Sequence, residues 1–263
     1  MKYYVVSDPH GFYTPLRRAL EAAGFFAERG EHRLVVCGDL FDRGSEALQM
    51  QDFITGLLHE GRLLYIRGNH EDLMGAMLQE LAAGHAWSIL EGYSHHVSNG
   101  TWGTALQLCD MTRAQVKHNP MELVRRMRAT PFWRELMPAT RNYVETAHYV
   151  FVHGWIPCLA DGYLFGRPHY IYDENWRSAS PAAWGTARWQ NGMELCCKRH
   201  LRVPGKTVVV GHWHASFGHA AIHHRCSEFG KDAILTPFRD GGIIALDACT
   251  AHSGFVNCVV LED

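Results

Sequence analysis

The sequence predicts an α/β fold of mixed central β-sheets flanked by helices. Three observations carry that expectation. Short apolar, β-branched runs alternate with amphipathic stretches through the first third of the chain. Hydrophobic residues make up 47% of the 263, enough for a sizeable core. Most of the strings rich in Gly, Asp and His close one of the apolar runs. Taken in order, Tyr3 to Ser7 reads as a buried strand and Thr14 to Ala23 as a helix with Leu16, Ala19, Leu20 and Ala23 on one face. Leu34 to Cys37 is a second strand, Ser45 to Leu58 a helix, and Leu63 to Ile66 a third strand. Glu71 to Ala83 follows as a helix, with Leu73, Met77, Leu78 and Leu81 at helical spacing. This βαβαβα order implies a partly parallel sheet whose ligands gather beyond the carboxyl ends of its strands. Residues 84–140 read as an irregular helical insertion punctuated by Asn99-Gly100, Pro120, Pro131 and Pro138. It serves either as a substrate pocket or as a packed cap. Strands resume at Tyr149 to Val152, Thr207 to Val210, Gly242 to Leu246 and Phe255 to Leu261, with a second irregular stretch at 155–205.

Length and composition narrow the functional classes. One domain over 1–263, with insertions at about 84–140 and 155–205, suits a chain of this length better than two. A net charge of -2 and scattered Lys and Arg give no field for a polyanion, so nucleic acid is not an expected partner. The eight cysteines show no CxxC spacing and read as reduced, mostly buried thiols. No run approaches membrane-spanning length, and Met1 to Asp8 enters a strand without a basic or long apolar leader. The expectation is a cytoplasmic protein.

Five strings carry the chemistry: Asp8-Pro9-His10-Gly11, Gly38 to Gly44 (GDLFDRG), Gly68-Asn69-His70-Glu71, His153-Gly154, and Gly211-His212-Trp213-His214. Asp8 and His10 can serve one ion, while the two carboxylate oxygens of Asp39 can bridge cations about 3.5 to 4 Å apart. Alone, Asp39 reads as a helix N-cap and Asn69 as an Asx-turn. Together with His153, His212 and His214, each at the end of an apolar run, they point to two adjacent metal ions. The doublets His95-His96 and His223-His224 lack matching carboxylate spacing and receive no role.

These strings resemble the signature of the calcineurin-like metallophosphoesterases. GDLFDRG with Arg67 to Glu71 resembles the branch holding the serine/threonine phosphoprotein phosphatases and the symmetrical diadenosine tetraphosphate hydrolases. The match runs from residue 8 to residue 214. The resemblance implies a four-layer sandwich in which Asp8 and His10 bind the first metal, Asp39 bridges, and Asn69, His153 and His212 bind the second. It makes His70 the general acid, oriented by Asp42, and places Arg43 and Asn69 on the substrate phosphate. Gly-His-Trp-His resembles the wider superfamily, in which the second His, here His214, completes the first metal. The family's second phosphate-binding arginine is best matched by Arg188, with Arg167, Arg177 and Arg199 as rivals. Arg67 and Glu71 read as braces of the turn beside them.

Asp, Asn and His ligands without Cys suit Mn, Fe or Zn, and the resemblance puts two Mn ions first. The implied activity is phosphomonoester hydrolysis of the serine/threonine protein phosphatase type by a metal-bridging hydroxide. A dinucleoside polyphosphate or other small phosphate ester is the alternative substrate. A catalytically silent metal-bearing scaffold is a third reading, opposed by the presence of His70, Asp42 and Arg43. The expected partner is a phosphorylated protein or small phosphate ester, with no nucleic acid and no membrane.

Overall fold

In a computed structural model, which describes residues 1–164 and 167–263, two sheets lie face to face between outer layers of helix. The first is built from β1 (Lys2–Val6), β2 (His32–Cys37) and β3 (Leu63–Ile66), parallel and joined through α1 (Tyr13–Ala22) and α2 (Ala47–His59). After β3 come α3 (Asn69–Ala82), α4 (Trp87–Leu90), α5 (His95–Ser98), α6 (Thr101–Cys109), α7 (Arg113–His118), α8 (Pro120–Met127), a π-helical turn at Phe132–Leu136, and α9 (Met137–Ala139). The second sheet begins with β4 (Val144–Glu145) and β5 (Tyr149–Phe151); the hairpin β6 (Cys158–Leu164) and β7 (Arg167–Tyr172) and helix α10 (Pro181–Ala187) then intervene. It is completed by β8 (Thr207–Val210), α11 (Ser216–Ala221), β9 (Phe238–Asp240) and β10 (Ile243–Ala245). After α12 (Thr250–Ser253), β11 (Cys258–Glu262) returns to the first sheet, antiparallel to β1. The sheet orders are β11-β1-β2-β3 and β4-β5-β8-β10-β9.

The near-continuous apolar runs are explained by burial on both faces of each sheet. Val5, Val35, Cys37, Leu64 and Ile66 point from the first sheet towards Phe151, Val209, Ile244 and Leu246 of the second. Their neighbours Tyr4, Val6, Leu34, Val36 and Tyr65 point the other way, onto α1 to α3 and the insertion helices. Behind the second sheet, Val150, Val152, Val208 and Val210 pack on Trp155, Trp176 and Trp184. Burying each such side chain contributes about 1.5–3 kcal/mol.

Several boundaries depart from the sequence reading. The stretch 155–205 contains the β6–β7 hairpin, whose alternation is obscured by Asp161-Gly162 and Pro168 and by a register shift between Ala160 and Tyr163. Helix α3 starts at Asn69, two residues early, because Glu71 accepts from the Gly68 N–H at 2.7 Å and caps the first turn. Asp39 is not an N-cap, since α2 opens at Ala47 with Glu46 before it. All eight cysteines are free, but only Cys37, Cys109 and Cys196 are fully buried. No helix among the described residues is long and apolar enough to cross a membrane.

Candidate metal centre

The carboxyl ends of β1, β2, β3, β5 and β8 open on one edge of the sandwich, and each delivers part of the site. The loops turn through left-handed backbone at Asp8 (φ 50°), His10 (48°), Asp39 (51°), Asp42 (79°), Arg43 (63°) and His212 (65°). Asp8 and His10 therefore each sit in a tight turn just beyond β1. Left-handed residues other than glycine each cost on the order of 1–2 kcal/mol, and Asp and His bear it better than most. Gly211 has a different reason to be glycine: a Cβ there would lie 2.1 Å from Asp8 Oδ2.

Two groups of donors, buried except for the half-buried His212, share Asp39. His10, Asp39 and His70 form one, Asp39, His153 and His212 the other, with the donor atoms of each within 4.8 Å of one another. Asp8 lies alongside, 1% exposed, and accepts the His212 backbone N–H at 3.1 and 3.0 Å. Two of the imidazoles have one ring nitrogen engaged by a backbone carbonyl. His10 Nδ1 donates to Phe41 O at 3.0 Å and His153 Nδ1 to Cys37 O at 2.8 Å. That pattern turns the opposite nitrogen, met by Arg43 in His10 and by Asn69 and Asp39 in His153, towards the place a metal would take.

The charges of this cage call for cations. His153 Nε2 faces Asn69 Oδ1 at 2.8 Å and Asp39 Oδ1 at 3.3 Å. Two oxygens around that nitrogen are reconciled by positive charge, either a proton on the ring or a cation between the groups. Burial opposes protonation of His153, yet Asp39 outweighs it and pushes the pKa up to about 10. Burial likewise works against the Asp39 carboxylate, but His153 and His70 hold it well below the usual range. Burial, with Asp247 beside it, lifts Asp8 well above that range. Burial takes His10 and His212 down to about 3, so both are neutral Lewis bases near pH 7. Nitrogen and oxygen donors in this arrangement fit divalent ions.

His70 and Arg43 form the open side. His70 Nδ1 donates to Asp42 Oδ2 at 2.7 Å, and Asp39 and Asp42 together raise its pKa against the effect of burial. Arg43, exposed, donates to His10 Nε2 at 2.9 Å and to His70 Nε2 at 3.2 Å. The insertion fixes this loop from behind: Thr101 Oγ1 donates to Asp42 Oδ2 at 2.7 Å, and Asp42 N donates to Thr104 Oγ1 at 3.0 Å. Part of the insertion is thus a brace for the site. Gly100, at φ 88°, presses on the Arg43 backbone, where a Cβ would lie 2.2 Å from N. Gly100→Ala is expected to displace Arg43 and lower kcat/KM by about 10-fold or more with bound metal unchanged, checked by kinetics beside metal analysis.

Glu71 is the hub beneath the metal cage. Its carboxylate accepts from the N–H groups of Gly68 (2.7 Å), Asp39 (3.1 Å) and Leu40 (3.1 Å) and from Tyr65 OH (2.7 Å). Glu71→Ala would leave these buried donors unpaired and cost about 2–4 kcal/mol, read as a lower urea midpoint. The sequence marks Glu71 as a brace without its reach to Asp39, and gives Thr101 and Thr104 no role. The only local signal was Asn99-Gly100, a turn delivering a hydroxyl residue.

Asp8 stands beside the two groups without joining either, and His214 and Arg188 are engaged elsewhere. His214 Nε2 meets Glu228 Oε1 at 2.9 Å, with its ring against Trp213 and Phe229. The left-handed turn at His212 and the nearby carboxylate account for the diversion. Arg188, 8% exposed, is held by Asp72 Oδ2 at 2.8 Å and Asn142 Oδ1 at 2.6 Å, so the ends of its fork are engaged. Among its rivals, Arg177 is clamped on Glu145 at 2.7 Å and Arg199 lies 3.5 Å from Glu194. The Arg167 side chain falls outside the described residues.

The family model described as calcineurin-like phosphoesterase matches residues 1–250. An asymmetrical bis(5'-nucleosyl)-tetraphosphatase of Bacillus subtilis is 25% identical over 139 residues, 51% of this chain and 52% of the relative. A symmetrical bis(5'-nucleosyl)-tetraphosphatase of Methylococcus capsulatus is 33% identical over 93 residues, 30% of this chain and 33% of the relative. At most about half the length of these curated relatives is spanned. The solved structure of a mutant cold-active protein tyrosine phosphatase shares the fold with TM-score 0.50 and 16% identity, covering 100% of this chain and 75% of that one.

Proposed function

We propose, because the chain belongs to the calcineurin-like phosphoesterase family and so is a metal-dependent phosphoester hydrolase, that His70 is its general acid and Arg43 its phosphate clamp. Asp8, His10 and Asp39 would hold one divalent ion, and Asp39, Asn69, His153 and His212 the other. His214 and Arg188 are left out of this set, being engaged by Glu228 and by Asp72 with Asn142. When bound, the ions supply Lewis-acid activation of water and neutralise charge on the phosphoryl oxygens. Manganese is our first choice, with iron and zinc suited to the same donors.

The observation that carries the reading is the hydrogen bond of 2.7 Å from His70 to Asp42, with Arg43 spanning His10 and His70. A phosphoryl group seated there would take over the two N–H donors that this planar guanidinium now gives to the rings. The protonated His70 ring then gives its proton to the departing oxygen while Asp42 fixes the ring plane and stabilises the imidazolium. A metal-bearing scaffold would need neither group. The eight free cysteines favour a reducing, cytoplasmic setting.

For the substrate, the two tetraphosphatase relatives favour a dinucleoside polyphosphate. A phosphorylated protein is the second reading, favoured by the GDLFDRG and RGNHE strings. Specificity constants of the manganese-loaded protein on diadenosine tetraphosphate, a phosphoserine peptide and p-nitrophenyl phosphate decide between them. The highest value is expected on the dinucleotide. A dominant value on the peptide would reverse the order, and no turnover on any of the three would overturn the enzymatic reading.

A further inference from the structure

A third group of metal-type donors lies where α3 meets the insertion, apart from the centre just described. Glu80, near the end of α3, and the consecutive His95 and His96 that open α5 each bring a donor atom within 4.8 Å of the other two. His96 is fully buried, its Nε2 lies 3.2 Å from Glu80 Oε1, and its ring centroid is 3.9 Å from that of His95. Its Nδ1 is also buried and has no hydrogen-bond partner among the described residues. Neither neutral tautomer of His96 suits these surroundings. With the proton on Nε2, towards Glu80, a lone pair on Nδ1 goes unused. With the proton on Nδ1, a buried donor is unpaired and the Nε2 lone pair faces a carboxylate. A cation relieves either mismatch, by taking the Nδ1 lone pair or by sitting between Nε2 and the carboxylate.

We propose that Glu80, His95 and His96 bind one zinc ion, in a site separate from the catalytic centre. Two imidazoles and a carboxylate form a borderline donor set that favours zinc over magnesium or manganese, and three protein ligands leave the fourth position to water. Tetrahedral zinc with bonds of about 2.0–2.2 Å needs donors about 3.3 Å apart. The exposed His95 and half-buried Glu80 side chains can close that distance by torsion alone. The ion would tie α5 to α3, just ahead of Gly100 and Thr101, which press on Arg43 and Asp42.

The test is zinc titration of the chelator-stripped full chain by calorimetry, with metal content after dialysis as a second measure. His95→Ala and Glu80→Gln are expected to bind about one equivalent less zinc than the unaltered protein. Hydrogen exchange across 84–98 should slow on adding zinc only in the unaltered chain. Neither substitution removes a fully buried side chain, so both variants are expected to fold, and matching circular dichroism checks this. Equal zinc stoichiometry in the unaltered protein and both variants would overturn the proposal. A common loss of the remaining equivalents would instead count against the catalytic centre, so the two readings fail separately.

Discussion

His70→Asn is expected to lower kcat by about 10²–10⁴-fold on a substrate with a poor leaving group while leaving the divalent metal content unchanged. The ring is held by its 2.7 Å hydrogen bond to Asp42, and its backbone N–H donates to Asp39 Oδ1 at 3.0 Å. Asparagine keeps the backbone contact but carries no transferable proton. The loss should shrink on p-nitrophenyl phosphate, whose leaving group needs little protonation. Equal losses on both substrates would point to a purely structural His70. The pH profile gives an independent check. Burial opposes protonation of His70 but Asp39 and Asp42 outweigh it, so its pKa lies above the ordinary 6.5. Because the protonated ring is the acid, rate is retained below the folded-state pKa and falls as pH rises through it. Asp42→Asn removes one of the raising charges, so the alkaline limb should move to lower pH.

Asp39→Asn is expected to act through the metals. Asp39 belongs to both donor groups, and its carboxylate lies 3.3 Å from His153 Nε2 and 3.8 Å from His70 Nε2. Loss of an outer partner of a metal ligand typically costs 10–100-fold in affinity, so losing a shared carboxylate should cost more than about 100-fold. Activity should vanish with the bound metal and return in part at millimolar manganese. The substitution is isosteric and keeps an acceptor for the His70 N–H, so the chain should still fold, with a urea midpoint lowered by loss of the bound metal and of the charge facing His153. Full metal occupancy in this variant would refute the bridging role of Asp39. Measuring metal and kinetics on both variants separates a lost proton donor from an emptied centre.

The parts of the fold legible in the sequence were those written in local periodicity. β3 and β8 occupy the residues their apolar runs predicted, and Asp8, Asp39, Asn69, His153 and His212 follow strands as expected. What was hidden depends on residues far apart. Thr101 reaches Asp42 across 59 positions and Arg188 reaches Asp72 across 116, so no window of sequence contains either contact. Capture of His214 by Glu228 depends on how the chain after α11 folds back, which the Gly-His-Trp-His string does not encode. β4 and β9, only 2 and 3 residues long, are too short to show alternation. The left-handed turns were hinted at by the glycines beside them, but the sign of φ at Asp42 or Arg43 is a property of the loop as a whole.

Those turns set fold endurance against chemistry. Arg43 and Asp42 hold a backbone geometry that glycine adopts more readily, at a saving on the order of 1 kcal/mol per position. Selection for heat resistance alone would therefore drift towards glycine at Arg43 and enrich sturdy, inert proteins, whereas glycine at Asp42 would leave His70 and Thr101 without their acceptor. Directed evolution of this scaffold has to score turnover in every round.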